Sequence, residues 1–208
     1  MAIGFPGRPS FHGLGELTAD ELATLWPERT RATDAQLAAA GAAWQAFRAP
    51  ELDELRVLAE NGVPGLPLVA LALRRLLEEL PAAGDGLSRT ERHALEAVAA
   101  GAATPTRAFL ATQESEEAPF LGDAWFFRTL AALAQGPNRL VATIHGGALP
   151  APPPLGDGVR FARLPIRLTP RGEEVLEGRA DRVELLPLDR WIGGTHLTAS
   201  SDRPGWRR

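Results

Sequence analysis

The chain contains no cysteine and no lysine. The first absence excludes disulfides, thiol nucleophiles and any zinc centre that needs thiolate ligands, while leaving the redox compartment open. The second excludes a Schiff-base lysine and a phosphate loop of the Walker type. All 22 basic residues are arginine; with abundant alanine and glycine, this usage reads as GC-rich coding rather than selection for guanidinium chemistry. Long apolar runs are also missing, and none approaches the roughly 20 residues needed to cross a bilayer. Met1 to Gly7 has neither the basic start nor the apolar stretch of a signal peptide. The default location is therefore the cytoplasm, with no membrane partner.

Positive charge is scarce as well. Residues 1–87 carry 7 arginines against 12 acids, residues 88–197 carry 12 against 13, and the tail carries 3 against 1. No segment has the basic excess of a typical DNA-binding domain. What is present is 208 residues of which 45% are hydrophobic, enough to bury a core in one domain or two small ones.

The start of the chain, to Gly15, is rich in glycine and proline and reads as loop, although it holds Phe5 and Phe11. Helix starts then follow one another. Thr18 with Glu21, Thr33 with Gln36 and Ser88 with Glu91 have the spacing of capping boxes, and Leu17 and Leu22 fit a hydrophobic staple around the first. In the second helix Leu37, Ala40, Gly41, Trp44 and Phe47 share one face. Pro50 suits the first turn of a third helix that Asn61 and Gly62 close. From Leu66 to Leu80 the apolar positions keep a strict helical period. The Pro-Ala-Ala-Gly-Asp-Gly turn at 81–86 marks a subdomain boundary.

Beyond it, three helices are expected from Ser88, from Thr104-Pro105 and from Gly122-Asp123, the second running out into the acidic stretch Glu114 to Glu117. Leu140 to Ile144 and Val159 to Leu168 read as strands, with a Pro-rich tip at 146–158 between them. Three helices followed by a β-hairpin is the winged-helix order. Thr169-Pro170 opens one more helix, and Arg182 to Leu186 reads as a last strand. The expected fold is mainly α with a small β part: a helical N-terminal subdomain over 1–86 packed on a C-terminal winged helix-turn-helix over 87–197, with a tail at 198–208.

Four segments carry a resemblance. Phe11-His-Gly-Leu-Gly-Glu-Leu17, Leu87-Ser-Arg-Thr-Glu-Arg92, Ala118-Pro-Phe-Leu-Gly-Asp123 and Asp189-Arg-Trp-Ile-Gly-Gly-Thr-His-Leu197 occur in that order. Together they resemble the C-terminal half of bacterial proteins of the domain of unknown function 1835 family. That resemblance implies a further N-terminal α/β domain in relatives, which nothing here matches, so the chain is expected to be a stand-alone version or a fragment. It implies a fold and no mechanism.

A winged helix invites comparison with DNA readers. The third helix of the unit would turn Asp123, Trp125, Arg128 and Thr129 outward, a poor set for reading phosphates and bases. Arg160, Arg163 and Arg167, all placed on the expected wing strand, are better phosphate contacts, with Arg203, Arg207 and Arg208 in the tail. Of the four histidines, His93 reads as a helix residue and His145 as solvated beside the wing. His12 and His196 sit in the resemblance motifs beside glycines. His12, Arg190, Trp191 and His196 are therefore the candidate ligand or contact cluster, able to form an anion or ring-stacking pocket. The structural alternative has Gly193-Gly194 as a tight turn, Trp191 plugging the core and Arg190 paired with Asp189 or a nearby acid.

No His-Glu-x-x-His spacing, nucleophile elbow or phosphate loop is present, so no metal, cofactor or self-contained catalytic site is expected. The expected role is a regulatory or protein-interaction module partnering an α/β domain or another protein. A DNA-binding regulator, or an accessory half of an enzyme with a ligand site near His12 and His196, are the alternatives. The contact reading expects an exposed apolar patch around Phe5, Phe11 or Trp125.

Overall fold

The computed structural model describes residues 13–152 and 158–198. The fold is mainly helical, with a small antiparallel strand part. His12, Phe5, Phe11, the tail arginines and part of the Pro-rich tip lie outside the described residues.

The N-terminal helices are α1 (Ala19–Leu25), α2 (Asp34–Arg48), α3 (Asp53–Asn61) and α4 (Pro67–Leu77). Both expected capping boxes form: the Thr18 and Thr33 hydroxyls accept from the Glu21 and Gln36 amides, and the Glu21 and Gln36 side chains accept in return from the Thr18 and Thr33 amides. Of the two staple residues, Leu17 is buried and Leu22 is 40% exposed. The expected inward face of α2 is corrected in part: Phe47 packs against the buried cluster as expected. Ala43 and Ala46 are its buried residues, whereas Leu37 and Trp44 stay more than half exposed. Toward its C-terminus small alanines allow close approach, while at its start the Gln36 side chain donates to the Gly65 carbonyl at 3.1 Å.

The next unit consists of α5 (Arg89–Ala99), α6 (Pro105–Glu114) and α7 (Asp123–Leu133), followed by β1 (Val141–Thr143) and β2 (Ile166–Leu168), paired antiparallel with Val141 opposite Leu168. The capping box of Ser88 and Glu91 forms as expected, with both residues buried. Phe126, Leu130 and Leu133 of α7, Leu95 of α5 and Val141 of β1 are among its fully buried side chains. Val159 to Leu168 is not one strand. Val159–Ala162 forms the short helix α8, which turns Phe161 inward to meet the Phe127 ring at 5.3 Å, and Pro165 separates it from β2. Arg160 and Arg163 consequently leave the strand on which the sequence places them.

After β2, Thr169 caps α9 (Pro170–Leu176) by accepting from the Gly172 amide, and its hydroxyl lies 2.7 Å from the Arg139 carbonyl oxygen. A Cβ on Gly172 would lie 2.4 Å from the Leu140 carbonyl oxygen. The segment Leu168-Thr-Pro-Arg-Gly172 is thus the joint that seats α9 on the strand pair. The expected strand at Arg182 to Leu186 is instead a helical turn, α10 (Arg182–Leu185), because the Asp181 carboxylate caps it through the Val183 amide. Last comes a hairpin, β3 (Asp189–Ile192) and β4 (Thr195–Thr198).

This C-terminal part returns to the N-terminal helices. Val183, Leu188, Ile192 and Leu197 share one buried cluster with Ala46, Leu52, Leu55, Ala59, Leu73 and Leu80. Between that cluster and the α5–α7 core runs a polar seam. Arg182 and Glu91 are almost wholly buried, and the Arg182 Nε donates to Glu91 Oε1 at 3.0 Å. Its Nη1 donates to the Leu186 and Pro187 carbonyls, and its amide donates to the Asp85 carbonyl. Asp85, inside the expected boundary turn, is buried too; it accepts from the Leu87 amide and pairs with Arg92.

A second knot sits alongside. Arg75 donates to Glu79 at 2.7 Å and grips Glu116 through Nε and Nη2, while Thr90 donates to Glu79 and Arg89 reaches Glu78 and Glu116. Glu116, in the acidic stretch that follows α6, is buried and held by these cations. A buried charge is tolerated only when paired and hydrogen-bonded, and here both conditions hold.

Replacing Arg182 with alanine leaves Glu91 buried without its hydrogen-bonded cation, since Arg190 stands 3.9 Å away. The expected cost in urea unfolding is about 3–5 kcal/mol, with circular dichroism and tryptophan fluorescence moving together. A cost under about 1 kcal/mol, or two separated transitions, would contradict this role.

The seam also sets a pH dependence. Burial alone would raise the Glu79 carboxyl, but hydrogen bonds from Thr90 and Arg75 and the nearby guanidinium charges outweigh it and hold it below 4.5. Burial, then the Arg89 charge, holds His93 below 6.5 against the pull of Glu116. The unfolded chain protonates His93 before the folded chain does, so stability falls as pH drops below about 6.5; the Glu79 contribution, complete above 4.5, is lost as pH falls through its depressed folded value. Thermal melting from pH 8 to pH 3 should show both losses, and H93Q should reduce the upper one only. An H93Q profile identical to the parent would refute the assignment.

Candidate functional site

The β3–β4 hairpin carries most of the candidate residues, and strand alternation sorts them onto two faces. Arg190, Ile192, Thr195 and Leu197 point into the molecule. Ile192, Thr195 and Leu197 are buried, and the Arg190 Nη2 donates to the Glu79 carbonyl at 2.7 Å. The turn residues are equally committed. Gly193 has φ of 58°, the Gly194 amide donates to the Phe47 carbonyl at 2.8 Å, and the Thr195 hydroxyl donates to the Ala49 carbonyl. The hairpin tip therefore satisfies carbonyls that the end of α2 leaves without helical partners. A Cβ on Gly194 would stand 1.9 Å from the Arg48 carbonyl oxygen, and one on Gly193 2.1 Å from that of Phe47. The glycine pair is required by contact with α2.

The other face holds Asp189, Trp191 and His196. Trp191 and His196 are directly opposite in register, and their rings stack at 4.4 Å with 2° between planes. The His196 Nε2 lies 2.7 Å from Asp189 Oδ1; a carboxylate only accepts, so this nitrogen carries the proton. Trp191 is 63% exposed and does not plug the core, and Asp189 pairs with His196 rather than Arg190. The structure thus brings Trp191 and His196 together and separates Arg190 from them, so these three do not line one pocket. Arg190 belongs to the seam.

The candidate nucleic-acid contacts are dispersed over several elements. Arg128 on α7 is exposed and lies over the Trp125 ring, 5.4 Å from its centroid. Asp123 and Trp125 face outward beside it, as expected of this helix. Arg160 is on α8, Arg163 just follows it, and Arg167 is on β2; all three are exposed and make no ion pair among the described residues. His145 is exposed in the turn after β1. His93 is half-buried, 2.8 Å from the Ser115 hydroxyl.

Sequence reasoning missed a second surface. An open apolar groove of about 680 Å³ lies between α6 and the start of α7, lined by Phe109, Leu110, Pro119, Phe120 and Leu121, with Gln113, Glu114 and Gly122. Leu110 and Phe120 are each more than half exposed, as is Trp125 on α7, which is not among the lining residues. The available signal was the unpaired apolar pair Pro119-Phe120 directly after the acidic stretch. Among the described residues no helix is long and apolar enough to cross a membrane. No protein-family model, curated protein or solved structure matches the chain.

The two hairpin faces should respond oppositely to substitution. G194A forces a methyl into the α2 backbone and is expected to cost at least about 1–3 kcal/mol. W191A removes a solvent-facing ring and should stay within about 0.5 kcal/mol of the parent. Urea midpoints in the reverse order would overturn the division.

Proposed function

We propose that the chain is a protein-interaction module that docks a partner domain on the outer face of the β3–β4 hairpin, with Trp191 as anchor. One observation supports this above all: every inward residue of the hairpin has a structural task, whereas Asp189, Trp191 and His196 form a pre-assembled stack the described fold does not use. Tryptophan is the residue type most enriched at binding hot spots, and a ring already fixed by a neighbour loses little entropy on docking. The same preference for surface aromatics recurs across the chain. Trp26, Trp44, Trp125 and Trp191 are all more than half exposed.

In this reading residues 87–197 form a winged-helix-like domain, and the polar seam presents the hairpin at its end. The resemblance to the domain of unknown function 1835 family, carried by the motifs at 11–17, 87–92, 118–123 and 189–197, supplies the partner: an α/β domain, on the same polypeptide or a separate one, with a regulatory role for the pair. A second reading, a DNA-binding regulator, draws on the exposed Arg160, Arg163 and Arg167.

One titration separates the two. An isolated α/β domain from a relative should bind this chain, and W191A should weaken it by at least about tenfold, or 1.4 kcal/mol, without loss of folding. A duplex DNA arm at low salt should give no retention. Failure of the domain to bind, or binding indifferent to W191A, would sink the hairpin reading. Salt-sensitive DNA retention lost in R160A/R163A/R167A would establish the second.

A further inference from the structure

We infer that the groove between α6 and α7 is a docking site for an amphipathic helix whose apolar stripe is flanked by basic side chains. The inference goes beyond the hairpin reading, since it uses a different surface on a different part of the fold.

Three observations define the occupant. The first is the apolar lining, anchored below: the Phe109 ring meets the buried Phe126 ring at 5.6 Å, so the floor is continuous with the core. Leu110 and Phe120 rise from it as walls, 53% and 58% exposed. The second is the backbone around it. Among the described residues, all lining residues belong to α6, the 115–122 connection or the helix cap at Gly122, and none of them lies on a strand. An extended peptide would find no ladder to join, whereas a helix needs only side-chain contact. A volume of about 680 Å³ suits a few large side chains projecting from one helical face.

The third observation is charge. Glu114 lines the groove, and Glu117 and Asp123 stand exposed beside the lining residues Pro119 and Gly122. Among the described residues, Arg75, which lies under the Phe120 ring at 4.9 Å, is bound to Glu116 and Glu79, and Arg89 pairs with Glu78 and Glu116. Arg128, over the Trp125 ring, and Arg107, one helical turn before Leu110, are exposed and outside the lining. The rim is therefore acidic where it lines the groove, at Glu114, on a chain of net charge −4. Such a rim repels an acidic helix and favours arginine or lysine placed beside the apolar stripe.

The test uses two synthetic helical peptides of about 18 residues, five turns, sharing one leucine stripe and differing only in arginine or glutamate flanks. Calorimetric titration should show the cationic peptide binding at least about tenfold more tightly than the anionic one. L110A/F120A, which alters exposed side chains only, should abolish binding, and E114Q/E117Q/D123N should bring the two peptides within about twofold. W191A should leave the peptide affinity unchanged. Equal affinities, or binding that survives L110A/F120A, would overturn the proposal. If the peptides fail while W191A still weakens the α/β domain, the groove proposal falls and the hairpin reading stands; if the peptides bind and the domain does not, the reverse holds.

Discussion

The buried pairing of Arg182 with Glu91 is the constraint from which the other features follow. It joins the helix that opens the second unit to the single turn that precedes the hairpin, across 91 residues of sequence. Each partner already has a local duty: Glu91 closes the Ser88 capping box, and Arg182 ties the Leu186 and Pro187 carbonyls. The ion pair therefore fixes two chain reversals as well as two charges. With α10 held there, Leu188, Ile192 and Leu197 enter the N-terminal cluster and the hairpin tip reaches the end of α2.

Specificity, more than raw stability, is what such a seam contributes. A buried ion pair is often no more stabilising than an apolar replacement of the same shape, because desolvation offsets most of the attraction. Its value lies in penalising every arrangement that leaves one partner alone. The Arg75, Glu79, Thr90 and Glu116 knot acts in the same way between α4, α5 and the end of α6. The hairpin held through these contacts carries the stacked Trp191 and His196 rings on its outer face, and the α6–α7 groove is backed by the buried Phe126.

Local features were legible in the sequence, and tertiary ones were not. The three capping boxes follow from two side chains three residues apart, so their helices could be read directly. Val159 to Ala162 and Arg182 to Leu185 are too short for either hydrophobic period to decide, and each became a helical turn through one anchor, Phe161 in one case and the Asp181 cap in the other. The inward face of α2 was misjudged in part because Trp44 and Leu37 outweigh Ala43 and Ala46 in any hydrophobic pattern, although the alanines are what the neighbours admit. For the hairpin, the sequence supplied the glycine turn and the residues worth watching. Strand alternation alone puts Arg190 and Trp191 on opposite faces; which of them shares a face with His196 depends on register, and the register pairs His196 with Trp191. Partner choice along the seam had no local signal at all.

Native-state hydrogen exchange at the Gly194 amide, bonded to the Phe47 carbonyl, tests the coupling most directly. If the seam makes the hairpin part of one cooperative structure, that amide should share the opening free energy of core amides in α5 and α7, and R182A should lower both together. A Gly194 amide that exchanges through a far cheaper opening than Leu95 or Leu130, and is unmoved by R182A, would show the hairpin to be independent of the seam.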